Sequence, residues 1–235
     1  MAELRFFFGT MGSGKSTQAL QIRHNLTKSG MACMLLTQLD RREGVVSSRL
    51  GVSAKATVID GSVDLHRLVA QEHADRQGVH AVVCDEAQFY QPGQIDQLAR
   101  LVDELDIEVY AFGLLTSFQG LLFPGSRRLM EVADRRSELQ VEARCWCGAR
   151  ATHNARLVNG RQVYEGDLKV VGDTGVGGQA DDTAAGPTGV GDRAVDGGPP
   201  ATAPTVTYDL RCRRHWLAGR LDGNQDSLFD DLPGI

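Results

Sequence analysis

The most constraining feature of the sequence is a glycine-rich loop near its start. Residues 9–16 fit the pattern G-x-x-x-x-G-K-[ST] between a strand-like apolar run, Leu4–Phe8, and a helix-like run, Lys15–Lys28. In such a strand–loop–helix unit, backbone N–H groups and the helix N-terminus surround the phosphates of a nucleoside triphosphate, while the lysine reaches the terminal phosphates and the serine ligates Mg²⁺. The candidate triphosphate and Mg²⁺ residues of this loop are Gly9, Thr10, Met11, Gly12, Ser13, Gly14, Lys15, Ser16 and Thr17.

Strand-like and helix-like segments alternate along the chain up to about residue 140. This alternation is typical of a parallel sheet flanked by helices. We therefore predict an α/β fold in which residues 1–141 form a P-loop NTPase core that binds the triphosphate. The predicted strands are Leu4–Phe8, Ala32–Thr37, Lys55–Ile59, Ala81–Cys84 and Glu108–Gly113, and the predicted helices are Lys15–Lys28, Val63–Gln77 and Ile95–Leu105.

The charge and hydropathy of the chain restrict its partners. Its 235 residues carry a formal net charge of −5, and the sequence pI is about 5.7. Proteins that hold nucleic acid usually carry a concentrated basic face, so we expect a small nucleotide partner and no nucleic acid. The sequence begins without a basic segment and a long apolar stretch, and no apolar run approaches membrane-spanning length. We therefore expect a cytoplasmic protein without a membrane partner.

An acidic pair, Asp85-Glu86, directly follows the apolar strand Ala81–Cys84. P-loop proteins place a magnesium-directing acid at this end of a strand, which makes Asp85 the candidate on the metal side. Glu86 is expected to point elsewhere, where it could accept a proton from an attacking hydroxyl or orient a water molecule for ATP hydrolysis. The two residues alone do not decide between a kinase and an ATPase.

The five cysteines fall into two groups. Cys33 and Cys84 lie in apolar strand-like runs and are interpreted as small buried side chains. The other three lie in polar surroundings and, with a nearby histidine, offer three thiolates and an imidazole, a set suited to a tetrahedral structural Zn²⁺; the alternative is reactive or merely buried thiols. The candidate metal ligands are Cys145, Cys147, Cys212 and His215.

The character of the sequence changes after residue 140. The dipeptide Asn159-Gly160 joins two short strand-like segments, Ala155–Val158 and Gln162–Tyr164, and predicts a tight hairpin in a small β unit held by metal. Residues 173–204 are rich in Gly, Ala, Asp, Thr and Pro, so we predict a disordered insertion. We thus predict a zinc-binding domain over residues 142–220 and a flexible acidic tail over residues 221–235.

Several segments, taken in order and spacing, resemble the zinc-containing thymidine kinases. They are Gly9–Thr17, Asp40-Arg41-Arg42, Asp85-Glu86-Ala87-Gln88-Phe89, Gly113-Leu114 with Phe118, and Tyr208 before Cys212. The resemblance extends over roughly residues 4–216 apart from the insertion, and it is more specific than the phosphate loop alone.

The resemblance implies transfer of the γ-phosphate of ATP to the 5′-hydroxyl of thymidine, with deoxyuridine as a second substrate and Glu86 as the general base. It implies Mg²⁺ with ATP, a structural Zn²⁺ that anchors a lasso loop over the nucleoside, and a homotetramer. Asp40, Arg42, Asp85 and Gln88 join the phosphate loop on the ATP and Mg²⁺ side. The thymidine site comprises Met11, Phe89, Leu114 and Phe118 around the thymine ring and Tyr208 on the lasso.

The sequence departs from the family pattern at four points. Ser117-Phe118-Gln119-Gly120 stands where relatives carry Asp-Phe-Arg-Gly, Asn154 stands where a threonine is common, the first metal pair is Cys-x-Cys instead of Cys-x-x-Cys, and the insertion after Asp173 lengthens the lasso. The main alternative function is a P-loop ATPase that uses its zinc module on nucleic acid or a partner protein, which the acidic pI disfavours. A GTPase and a nucleoside monophosphate kinase fit the order of the motifs less well.

Overall fold

The computed structural model describes residues 1–38, 44–48, 51–75, 78–139, 142–168 and 204–219. The strands are β1 (Leu4–Phe8), β2 (Cys33–Thr37), β3 (Val45–Ser47), β4 (Ser53–Lys55), β5 (Thr57–Val58), β6 (Ala81–Asp85), β7 (Glu108–Gly113), β8 (Arg135–Glu138), β9 (His153–Val158), β10 (Arg161–Val163) and β11 (Val206–Arg211). The helices are α1 (Lys15–Lys28), α2 (Leu65–Asp75), α3 (Pro92–Leu105), α4 (Pro124–Val132) and α5 (Arg213–Ala218), and a 3-10 turn covers Ala87–Phe89.

A six-stranded sheet forms the centre of the molecule. Its strand order is β5-β2-β6-β7-β1-β8, and each neighbouring pair is parallel. The central strand β6 is buried along its whole length, as expected for a parallel strand covered on both faces. The predicted parallel sheet with flanking helices is confirmed.

The helices cover both faces of this sheet. On one face Ala19 and Leu20 of α1 pack with inward side chains of the sheet such as Val83 and Phe112. On the other face α2, α3 and α4 pack against the alternate strand positions, among them Val82. Because successive side chains of a strand point to opposite faces, the apolar run of β6 serves both layers. The carboxyl ends of β1 and β6 thereby lie at one edge, where the phosphate loop and Asp85 follow.

A second sheet contains three antiparallel strands in the order β10-β9-β11. The turn between β9 and β10 has positive φ at both central residues, 50° at Asn159 and 78° at Gly160, as a two-residue hairpin turn requires. The hairpin is therefore present where the dipeptide predicts it, although β9 begins two residues before the predicted segment.

Some elements of the structure have little sequence signal. Strand β8 has the sequence RRSE and is exposed at all four positions, so no apolar pattern marks it. The β3–β4 hairpin and helix α4 also lack a predicted counterpart. Of the predicted strand Lys55–Ile59, Lys55 ends β4, Thr57–Val58 form β5, and Ala56 and Ile59 lie outside both strands. The predicted insertion, apart from Pro204, and the predicted tail lie outside the described residues. Among the helices that are described, none has the length and apolarity needed to cross a membrane.

Candidate active site and metal centre

The phosphate loop joins β1 to α1 in the predicted position. Gly14 caps the start of α1 with φ 79°, a conformation in which other residues are strained. The helix therefore directs its N-terminus into the loop, where its partial positive charge favours an anion. Lys15 Nζ donates a hydrogen bond to the carbonyl oxygen of Thr10 at 2.7 Å and so lies across the loop. This arrangement places an ammonium group and the N-terminus of a helix at the same loop.

Asp85 ends β6 beside the first turn of α1. Its side chain is only 5% exposed, and its burial together with the charge of Glu86 raises its pKa to about 6. A hydrogen bond from the Ser16 hydroxyl and the positive charge of Lys15 act in the opposite direction. The buried Asp85 carboxylate and the adjacent Ser16 hydroxyl together offer oxygen ligands suited to a hard divalent cation such as Mg²⁺.

Glu86 occupies a strained backbone position between β6 and the 3-10 turn. Its φ of 54° lies in the left-handed region, which costs a residue with a side chain about 1–2 kcal/mol. The Gln88 Nε2 amide donates a hydrogen bond to Glu86 Oε2 at 2.5 Å, and the Leu114 backbone N–H donates to Gln88 Oε1 at 3.0 Å. The sequence places Gln88 on the ATP side and Leu114 on the thymidine side. In the structure the two residues are in direct hydrogen-bond contact.

Three side chains of the predicted nucleoside site lie near aromatic or cationic groups. Phe118 is 4% exposed, and the guanidinium of Arg156 lies 3.7 Å from its ring centroid. Arg156 Nε also donates to the Tyr208 hydroxyl at 3.0 Å. Phe89 instead packs edge-to-face on Phe123 at 5.4 Å. Sequence reasoning missed Arg156, since an isolated arginine in a short strand carries no motif.

Asn154 connects the second sheet to the phosphate loop. Its side chain is 4% exposed, and its Oδ1 accepts a hydrogen bond from the Met11 backbone N–H at 2.9 Å. Asn154 and Arg156 alternate with Ala155 along β9, so they share one face of the strand. That face is directed at the phosphate loop and at Phe118, which brings the second sheet against the predicted active site.

The four predicted metal ligands converge. Cys145, Cys147, Cys212 and His215 place their donor atoms within 4.8 Å of one another. The Sγ atoms of Cys147 and Cys212 are 3.9 Å apart, and His215 Nδ1 lies 3.3 Å from Cys145 Sγ and 3.4 Å from Cys212 Sγ. Tetrahedral Zn²⁺ with bonds of about 2.3 Å to sulfur separates two sulfurs by about 3.8 Å, so the cluster fits this ion.

Local interactions also favour the thiolate form of Cys145. Burial opposes ionisation of Cys145, but backbone hydrogen bonds from Cys147 and Cys212 and a hydrogen bond with His215 lower the pKa of its thiol to about 6. The Trp146 ring stacks on the His215 imidazole at 4.0 Å and covers one side of the cluster. The Cys-x-Cys spacing is therefore compatible with a four-ligand site.

Two predicted ATP-site residues, Asp40 and Arg42, lie outside the described residues. The described residues nevertheless form three connected groups: Lys15, Ser16 and Asp85 at the phosphate loop; Glu86, Gln88 and Leu114 at the adjacent strand ends; and Phe118, Arg156 and Tyr208 at the second sheet. Together these groups supply cations, carboxylates and aromatic side chains, the kinds of group that phosphoryl transfer to a small acceptor uses.

Comparisons with known proteins show the family of this chain. The thymidine kinase family model matches residues 2–175. A thymidine kinase of Streptomyces coelicolor is 49% identical over 216 residues, which cover 92% of this chain and 88% of that protein. A thymidine kinase of Cutibacterium acnes is 48% identical over 220 residues, covering 93% and 90%. Among solved structures, the Pif1 helicase from Candida albicans covers 60% of this chain and 36% of that chain with a TM-score of 0.39 at 14% identity, a likeness too low to bear on function. With a family model that spans most of its length and relatives nearly half identical, this chain belongs to the thymidine kinase family.

Proposed function

We propose that the protein transfers the γ-phosphate of ATP to the 5′-hydroxyl of thymidine, and of deoxyuridine, to give ADP and the nucleoside monophosphate. The observation that carries this proposal is the position of Glu86. Its carboxylate follows the Mg²⁺-side residue Asp85 at the edge of the sheet and is bonded through Gln88 to the backbone of Leu114, in the predicted thymine pocket. The family membership supports the identity of both substrates.

On the donor side, the phosphate loop binds the triphosphate through its backbone N–H groups and Lys15. Ser16 and Asp85 would hold Mg²⁺, with Asp40 and Arg42 near the phosphates and sugar. When bound with ATP, Mg²⁺ neutralises charge that develops on the phosphate oxygens. The helix N-terminus and Lys15 contribute fixed positive charge in the same direction.

On the acceptor side, Glu86 takes the proton from the 5′-hydroxyl while the 5′-oxygen of the nucleoside forms its bond to the γ-phosphorus. The bond between the γ-phosphorus and the bridging oxygen of ADP breaks, and ADP leaves with that electron pair. Glu86 then releases its proton to solvent. Met11, Phe89, Leu114, Phe118 and Tyr208 would enclose the thymine ring, which offers a flat apolar face and an edge of donors and acceptors.

The second sheet serves this site as a structural support in the proposal. A Zn²⁺ ion with four protein ligands has no open position for catalysis and can only tether chain. Held by the four-ligand cluster, it would anchor the strand that carries Tyr208, within a domain over residues 142–220 that follows the core of residues 1–141. A cytoplasmic homotetramer without a nucleic-acid partner completes the proposal.

A coupled ADP-release assay tests the reaction directly. We expect release with thymidine and deoxyuridine, little with deoxycytidine or thymidine monophosphate, and only background without an acceptor. Equal release in the absence of any acceptor would support the ATPase alternative and refute the kinase.

Glu86→Gln tests the role of the general base. We expect the variant to retain ATP and thymidine affinity by calorimetry while its turnover falls by about 100-fold or more, since a positioned base contributes about that factor. Retained turnover would remove Glu86 as the base, and loss of thymidine binding would show that it holds substrate instead.

A further inference from the structure

The Gln88 side chain lies at the centre of a buried hydrogen-bond relay. It is 1% exposed, and both ends of its amide have partners: Nε2 donates to Glu86 Oε2 at 2.5 Å, and Oε1 accepts from the Leu114 N–H at 3.0 Å. One side chain therefore joins the candidate general base to the wall of the candidate nucleoside pocket. Both contacts engage the acceptor side of the site.

The orientation of this amide follows from its partners. A backbone N–H can only donate, so the atom facing Leu114 must be the oxygen of the Gln88 amide. The –NH₂ group then necessarily faces Glu86, where it is a donor to a carboxylate. With Oε2 engaged in this way, Glu86 keeps Oε1 for a second partner, as a base that receives a substrate proton must.

The backbone around the relay is packed too closely to move freely. A Cβ added at Gly113 would lie 2.8 Å from Gln88 Oε1 and 2.9 Å from the Gln88 backbone nitrogen. A Cβ at Gly125 would lie 2.5 Å from the Ala87 carbonyl oxygen. The Leu114 carbonyl is held in turn by the Ser126 hydroxyl, which donates to it at 2.5 Å. The glycines at these two positions, Gly113 in β7 and Gly125 in α4, thus allow the 3-10 turn to pack directly against the backbone of both elements.

From these contacts we propose that Gln88 is a positioning residue for phosphoryl transfer, which holds the Glu86 carboxylate at a set distance from the nucleoside pocket. The inference rests on the proposed function and places Gln88 on the acceptor side, whereas the sequence groups it with the ATP and Mg²⁺ residues. The relay ties the position of the base to Leu114, so a nucleoside seated against that wall presents its 5′-hydroxyl to a fixed oxygen.

The first test separates kcat from KM in Gln88→Met, which keeps the size of the side chain and removes the amide. Wild-type ADP release that depends on thymidine is established first, so failure of the proposed function is seen independently. Since misplacement by about 1 Å can cost on the order of 100-fold in rate, we expect kcat to fall about 10- to 100-fold with the KM values of thymidine and ATP changed less than about 3-fold. A kcat equal to the wild type, or a change confined to the KM of ATP, would overturn the positioning role.

A matched control separates this effect from loss of stability. Gln94 is also a buried amide, at 3% exposure. It donates to the Asp60 and Val63 carbonyls at 2.8 and 2.9 Å and accepts from the Gln91 backbone N–H at 3.0 Å, and none of these partners is a predicted site residue. Gln94→Met should lower the melting temperature and leave kcat unchanged. A similar fall of kcat in both variants would show that Gln88→Met acts through general destabilisation.

A double-mutant cycle shows whether Gln88 acts through Glu86. Glu86→Asp shortens the side chain by one methylene and withdraws the carboxylate from the Gln88 amide. In this background we expect Gln88→Met to change kcat by less than about 3-fold, because the contact is already lost. If Gln88→Met lowered kcat by the same factor in the Glu86→Asp background as in the wild type, the inference would be overturned.

Discussion

Two adjacent carboxylates of the site have different surroundings. Asp85 ends a strand that is buried throughout, and desolvation, with the charge of Glu86, raises its pKa to about 6. Glu86 has left the strand through a left-handed backbone conformation, and its carboxylate accepts the Gln88 amide hydrogen bond. A buried, destabilised charge is suited to meet a cation, while the hydrogen bond from Gln88 fixes the orientation of the Glu86 carboxylate.

Asp85→Asn should stabilise the metal-free protein. Because the pKa of Asp85 in the folded protein is raised above the ordinary aspartate value of 3.8, the folded state holds the proton more tightly than the unfolded chain. The ionisation cost is absent below about pH 4, grows between pH 4 and 6, and is fully present above pH 6, where it amounts to at most about 3 kcal/mol. We expect a melting temperature several degrees above wild type at pH 8, a difference that vanishes towards pH 4, and loss of kinase activity.

Scanning fluorimetry in a chelator across this pH range measures the effect. Asp103→Asn on the exposed side of α3 removes an equal charge without this burial and should leave the melting curve unchanged. A stability difference for Asp85→Asn that is absent at pH 8, or that grows towards pH 4, would contradict the assigned desolvation.

At the scale of elements, the metal cluster joins segments that are far apart in sequence. Cys145 and Cys147 lie in a turn before β9, whereas Cys212 directly follows β11 and His215 lies in α5. β11 also carries Tyr208, whose hydroxyl accepts the Arg156 hydrogen bond. A Zn²⁺ ion bound by these four residues would help to hold β11 against β9, and with it the candidate nucleoside-site residues Phe118 and Tyr208.

Cys212→Ser should uncouple this wall from the core. We expect zinc content below the wild-type ratio, a lower melting temperature, and thymidine affinity weakened about 10-fold with ATP affinity changed little, since the four clustered residues include none from the phosphate loop. Elemental analysis and calorimetry measure these three quantities. Cys33→Ser in β2, remote from the cluster, should keep full zinc. Normal thymidine affinity in a zinc-free Cys212→Ser protein would refute the support role.

At the scale of the whole molecule, the phosphate loop is a contact point between the two sheets. Met11 lies in this loop, and its backbone N–H donates to Asn154 of the antiparallel sheet. The residue that follows β1 by three positions is thus bonded to a residue 143 positions away. Since the loop is the proposed triphosphate site and Met11 is a candidate residue of the thymine pocket, we expect changes at Asn154 to affect the binding of both substrates.

Two variants, Asn154→Asp and Asn154→Ala, separate the effect of losing the hydrogen bond to Met11 from the effect of adding a negative charge beside the phosphate loop. Asp keeps an acceptor for the Met11 N–H but adds a negative charge beside the triphosphate, so we expect the KM of ATP to rise at least about 10-fold, equivalent to about 1.4 kcal/mol. Ala removes the contact without adding charge and should raise it by only about 2- to 5-fold. Steady-state kinetics measures both.

Asn25→Asp near the end of α1 provides the matched control for net charge. It should leave the KM of ATP at the wild-type value. If Asn154→Asp also behaved as wild type, the contact with the phosphate loop would have no part in triphosphate binding.

The parts of the molecule that could be predicted are those whose physics is local. Residues 9–16 form a phosphate loop because glycine conformations and a following helix are specified within one short segment. The Asn159-Gly160 turn adopts the positive φ angles that its residue types favour. Strand β8 has no such local signal. It forms by backbone pairing with β1, and its own four exposed residues show no apolar pattern.

The sequence by itself determined the α/β alternation, the phosphate loop, the acidic pair and the identity of the four potential metal ligands. Each of these features can be recognised from the residue types present and from short spacings between them. Only the tertiary structure decided that Gln88 bonds Glu86 and Leu114, that Arg156 lies over Phe118, and that Asn154 reaches Met11. These contacts join residues brought together by the packing of separate strands and turns. A single buried side chain with distant partners has no period or motif, so its role follows only once the sheets are assembled.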